Sequence, residues 1–117
     1  MPSVRRALHE LGCVQRLLPL LSSSSEEVQE AAARALEKLS RMPAAAIEVR
    51  RQEGVQLLVD LMPSADLGVQ LASVCALMNV AQNDPKAPAA IRDADGLRPL
   101  VAFLGSADRR YACLAHT

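Results

Sequence analysis

Apolar residues recur three or four positions apart along most of the chain, with little of the strict alternation that marks a strand, so the pattern predicts helices throughout. Three compact apolar cores stand out: "LLPLL" from Leu17, "LLVDLM" from Leu57 and "PLVAFL" from Pro99. The first two are each followed by a serine-containing turn and a long helical stretch, "EEVQEAAARALEKLSRM" and "LGVQLASVCALMNVAQN". On a helical wheel the first stretch gathers Val28, Ala32, Ala35, Leu36 and Leu39 into one buried stripe. Its opposite side carries Glu30, Arg34, Glu37 and Arg41, with Lys38 at the margin. In the second stretch the stripe is Val69, Ser73, Ala76, Leu77 and Val80, and the opposite side holds Leu71, Cys75, Met78 and Gln82, with Asn79 at the margin.

The cores belong to a repeat. Segments beginning at Leu8, Val49 and Ile91 align at spacings of 41 and then 42 residues. Val14, Val55 and Leu97 superpose, as do Leu17, Leu58 and Leu100, and Leu21, Met62 and Leu104. Ser23, Ser64 and Ser106 coincide in the turn. Each unit reads as a short helix, a second helix carrying the apolar core, and a longer third helix. Pro43 and Pro88 suit a helix's first turn, where a missing N–H costs little. Ser24 with Glu27 makes a capping box, and Asp66 and Asp108 are N-caps of the same kind. The expected units run from about 3 to 42, from 43 to 84 and, truncated, from 85 to 117. A unit of this size cannot bury its apolar face alone, so neighbours must stack into one continuous core. Two and two-thirds units imply open ends prone to self-association.

The period, together with "EVQEAAARALEKL", "GLRPLVAFL" and "CALMNVA", resembles armadillo repeats over essentially the whole chain. The related two-helix HEAT repeat lacks the short first helix and the "ALxN" signature. The resemblance implies an all-α, right-handed superhelical solenoid acting as a non-catalytic protein-interaction scaffold. It also implies that third helices line a concave groove, where an Asn hydrogen-bonds the main chain of an extended peptide. Carried onto this chain, the expected ligand-binding residues are Asn79, Cys75, Leu71 and Met78 in the second unit, and Lys38, Arg34, Arg41 and Glu30 in the first. Importin-alpha-like adaptors pair that Asn with a Trp one turn earlier, but Arg34 and Cys75 stand at the Trp positions and Lys38 at the first unit's Asn position. A groove carrying Arg34, Lys38 and Arg41 repels basic nuclear-localisation peptides and favours acidic ones, as the basic groove of beta-catenin-like proteins does. The plainer alternative is that Glu30–Arg34 and Glu37–Arg41 are i,i+4 pairs on a wet surface, each worth about 0.2–0.5 kcal/mol. A second reading makes the chain an oligomerising piece of a larger repeat protein.

Composition narrows the partners. Thirteen basic residues balance 13 acidic ones, so no overall field favours nucleic acid or a membrane surface. Phe103 and Tyr111 are the only aromatic residues, too few for the stacking platforms of single-strand binding. The lone glycines make no phosphate cradle. His9 and His116, with Cys13, Cys75 and Cys113 scattered and no CxxC pair, form no metal or cofactor motif. Three unpaired, distant cysteines suggest reduced thiols and a cytoplasmic or nuclear address. What remains is a protein or peptide partner.

Overall fold

A computed structural model describes residues 12–105. The described segments are all helical: α1 (Cys13–Leu17) continuing into a 3-10 turn (Leu18–Ser22), α2 (Glu26–Leu39), α3 (Pro43–Arg51), α4 (Gly54–Leu61), α5 (Leu67–Asn83), α6 (Ala87–Asp93) and α7 (Leu97–Gly105). Helices α3, α4 and α5 make one complete unit. α1 and α2 are the second and third helices of the unit before it, and α6 and α7 the first and second of the unit after. The first unit's first helix and the helix expected from Asp108 lie outside the described residues.

Local chemistry sets the boundaries. Pro43 and Pro88 occupy the first turns of α3 and α6. Asp66 caps α5, its carboxylate accepting from Val69 N at 3.0 Å. The cap of α2 is Ser25 rather than Ser24: its hydroxyl accepts from Val28 N at 3.3 Å. Four consecutive serines offer the cap to neighbours, and the repeat decides among them, because Ser25 is the counterpart of Asp66. In both turns the serine two residues earlier, Ser23 or Ser64, accepts from the backbone N–H of the cap residue at 3.1 Å. In both, a glutamine of the third helix donates back to the end of the second: Gln29 to Leu21 O at 3.3 Å, Gln70 to Met62 O at 2.9 Å. The second helix of the first unit differs from its counterpart. Pro19 has no N–H to donate, and the chain tightens there into a 3-10 turn, whereas Asp60 at the same register leaves α4 regular.

The turn before each second helix uses the left-handed backbone. Gly12, Glu53 and Asp95 have φ of 75°, 62° and 59°, at repeat-equivalent positions. In the later two units a glycine follows. A β-carbon on Gly54 would meet Leu18 of the preceding unit at 2.6 Å and the carbonyl of Val49 at 2.9 Å; one on Gly96 would meet Val59 at 2.8 Å. Glycine is therefore needed where one unit's second helix presses on the next.

The buried stripe of α2 is rotated from the wheel's assignment. Ala32, Ala33, Leu36 and Leu39 are buried, Ala35 is half-buried, and Val28 is 37% exposed. The α5 stripe of Val69, Ser73, Ala76, Leu77 and Val80 is buried, but so are Ala72, Val74, Cys75 and Asn79. α5 is enclosed because it has two sets of neighbours: its own unit's α3 and α4, and α2 of the unit before, with which it makes the most extensive interface. Burial of Leu36, Leu58 and Leu77 is complete, each contributing about 1.5–3 kcal/mol.

Polar chemistry completes the seam between units. The last carbonyls of a helix have no partner within it. At the end of α2, Leu36 O accepts from Ser40 N at 2.8 Å, Lys38 O from Arg41 N at 3.4 Å and Leu39 O from Met42 N at 3.0 Å. Glu37 O is satisfied from the next unit: Asn79 Nδ2 of α5 donates to it at 2.7 Å. Asn79 O in turn accepts from Asn83 Nδ2 at 2.9 Å. The far end of α5 is fastened within its own unit. Buried Asp84 accepts from Arg50 Nε of α3 through one oxygen and from Lys86 N at 3.1 Å through the other.

Two tests follow from this packing. Gly54→Ala should lower stability in urea unfolding by about 1–3 kcal/mol through overpacking, while Glu53→Gly should raise it by roughly 0.5–1 kcal/mol, the relief of a left-handed side chain less glycine's entropy. Asn79→Ala should cost about 1–3 kcal/mol by leaving the Glu37 carbonyl buried without a donor. Asn79→Asp should cost at least as much, because a carboxylate would face the negative end of α2.

Candidate functional site

The expected groove residues fall into three groups. Arg34 and Lys38 are exposed on α2, four residues apart, and Arg41 is exposed in the turn that follows it. Arg34 Nε donates to Glu30 Oε2 at 2.8 Å, and Arg41 Nη2 lies 3.7 Å from Glu37 Oε2. The i,i+4 pairs of the plainer reading are thus formed. Lys38 has neither a hydrogen bond nor an ion pair among the described residues, so it is the uncompensated charge of this face. Glu30 also packs inward: its carboxylate occupies the space beside Gly68 in the first turn of α5, where a β-carbon would collide with it. An acid beside a helix N-terminus is favourably placed with respect to the helix dipole.

Leu71 and Met78 are half-buried and pack against the core, so the apolar patch expected opposite the α5 stripe is narrower than the wheel implies. Cys75 is 2% exposed and disulfide-bonded. It is not the small open groove residue that the wheel placed there. Of the described cysteines, Cys13 alone keeps the free thiol expected of all three.

Asn79 is the main departure. It was expected at the edge of the groove with its amide presented outward. It is 4% exposed, and its Nδ2 is committed to Glu37 O. The wheel misplaces it because it shows a helix's own stripe and nothing of the neighbouring helix. The signal that finds it is the repeat register, which sets Asn79 at the counterpart of Lys38, one residue beyond Glu37. Because that bond holds this part of α5 to the last turn of α2, Met78 and Asn79 sit beside the turn that displays Lys38 and Arg41.

The open surface is therefore a cationic ridge on α2 next to a half-buried apolar strip on α5. Among the described residues no cluster of three or more His, Cys, Asp or Glu is placed to hold a metal ion. No described helix is long and apolar enough to cross a membrane.

The armadillo/beta-catenin-like repeat family model matches residues 2–41. A search of curated proteins finds no match. Among solved structures, the crystal structure of an engineered protein is similar, with a TM-score of 0.78 and 36% identity. The likeness covers 84% of this chain and 40% of that one, so the chain spans less than half the length of that neighbour. The repeat register, the all-helical stack of units and the family match over residues 2–41 agree: the described chain is an α-solenoid, similar to armadillo repeats.

Proposed function

We propose that the chain is a non-catalytic protein-interaction scaffold that holds an extended acidic or acidic-apolar segment along the α2–α5 face. The observation that carries this reading is Lys38, exposed and unpaired between Arg34 and Arg41, beside the half-buried Leu71 and Met78. The family resemblance supports the coarser part, a scaffold for protein partners. The finer part rests on charge. An incoming carboxylate meets Lys38 at no cost in broken pairs and competes with Glu30 and Glu37 for Arg34 and Arg41. Such exposed contacts are individually weak and screened by salt, so binding should be modest and ionic-strength dependent.

Each expected site residue has a defined role in this reading. Lys38, Arg34 and Arg41 contact the ligand's acids, while Leu71 and Met78 meet its apolar side chains. Glu30 and Asn79 shape the face by joining α2 to α5, and Cys75 is a buried residue of α5 behind it. An import-adaptor role finds no support, since Arg34 and Cys75 stand where the adaptor pattern has Trp.

Binding of an acidic-peptide array to the wild-type chain and to the Lys38→Glu/Arg41→Glu double variant should differ by about tenfold, equivalent to about 1.4 kcal/mol. Raising the salt concentration should narrow the difference. Equal affinity of the two proteins for every acidic peptide would overturn the assignment of this face.

A further inference from the structure

Consecutive units meet twice among the described residues, and the two junctions differ on the side built from first and second helices. At the earlier junction Glu48 Oε1 of α3 accepts from Gln15 Nε2 of α1 at 3.5 Å and from Gln52 Nε2, just past the end of α3, at 3.2 Å. Polar side chains of both units thus meet across it. The repeat register carries Glu48 to Ala90, Gln52 to Ala94 and Gln15 to Gln56. The two alanines are too short to reach across, and Gln56 Nε2 donates instead to Asp60 Oδ1 of its own helix at 2.8 Å. A cleft of about 340 Å³ is left between α4 and α6, with Val55, Ala90 and Ala94 as its apolar wall.

The charge changes at the same place. Glu53 stands where the earlier junction has Gly12, and Asp93 where it has Arg51. Both carboxylates line the cleft and both residues are exposed. Neither side chain takes part in an ion pair or a hydrogen bond among the described residues. The cation that lines the cleft, Arg50, is already matched by buried Asp84. Helices α3 and α6 both end here, and helix C-termini add partial negative charge that favours a cation. Glu53 is also carried on left-handed backbone, φ 62°, where glycine would fit with less strain, and no polar contact of the fold uses its carboxylate.

We propose that the α4–α6 cleft is a pocket for an arginine side chain of a partner protein, its stem lying on Val55, Ala90 and Ala94 and its guanidinium held by Glu53 and Asp93. A guanidinium suits the site because its planar fork donates in several directions at once, toward carboxylates that come from two different elements, and its flat face packs on apolar surface. The compact, strongly hydrated ammonium of lysine does neither. The pocket is independent of the peptide-binding reading, because the cleft and the α2–α5 face share no residue.

The probe is a short peptide with one arginine between alanines, acetylated and amidated so that it carries no other charge. It is titrated into the full chain and followed by the NMR shifts of backbone amides. Saturable shifts are expected at Glu53, Val55, Gln56, Asp93 and Ala94, with an affinity that falls about fivefold in Glu53→Gln/Asp93→Asn. The same peptide with lysine in place of arginine should bind about threefold more weakly. Ala90→Gln/Ala94→Gln puts side chains as long as those of the earlier junction into the cleft without adding charge, and should also weaken binding about fivefold by occupying the space. The amide spectrum away from the cleft shows that each variant is folded. Unchanged affinity in either folded variant, equal binding of the lysine peptide, or shifts confined to other surfaces would overturn the proposal.

Discussion

The architecture depends on the interface between α2 and α5, the third helices of consecutive units. Neither unit can bury its apolar residues alone, and this interface makes a single core from two short helical segments. Leu36 on one side and Leu77 on the other are completely buried. The seam also carries a polar obligation, because α2 ends against its neighbour with a carbonyl that its own following turn leaves without a donor. Asn79 discharges it. A side chain that donates from one unit to the main chain of another fixes register along the seam in a way that apolar contact, which is non-directional, does not.

That requirement explains why an amide sits inside a largely apolar helix. An amide at this position has two available uses, gripping a guest's main chain or closing the end of the preceding helix. In this structure the second has priority, since Glu37 O would otherwise be buried without a partner. The consequence for function is a division of labour. α5 supplies rigidity and a narrow apolar strip, and the charged chemistry is displayed by α2 and the turn after it, where Arg34 and Arg41 are held in pairs while Lys38 is left over.

Much of the fold was legible in the residues. Pro43 and Pro88 marked helix starts, and Leu36, Leu77 and Val80 were assigned to the core from periodicity alone. What was misjudged on the helix faces has one physical origin. A helical wheel treats a helix as having one buried side, but α5 is packed between two units, so Cys75 and Asn79 are buried on the side taken as open. The same neglect of neighbours put Val28 in a core that needs a preceding unit to exist. The Ser24 cap was misplaced because a serine run carries no local preference; the counterpart Asp66 resolves it. The left-handed turn at Gly12, Glu53 and Asp95 was present in the alignment, hidden by the glycine shifting one position between units.

The central claim is that the α2–α5 seam joins the two units into one cooperative structure. Native-state amide hydrogen exchange of the full chain in increasing urea tests it directly, because it reports the opening free energy of each helix separately. The account expects the slowest amides of α2 and α5 to share one opening free energy, and Asn79→Ala to lower both together. Exchange of α2 at a much lower opening free energy than α5, unaffected by Asn79→Ala, would mean that the units stand independently and that the seam does not hold them.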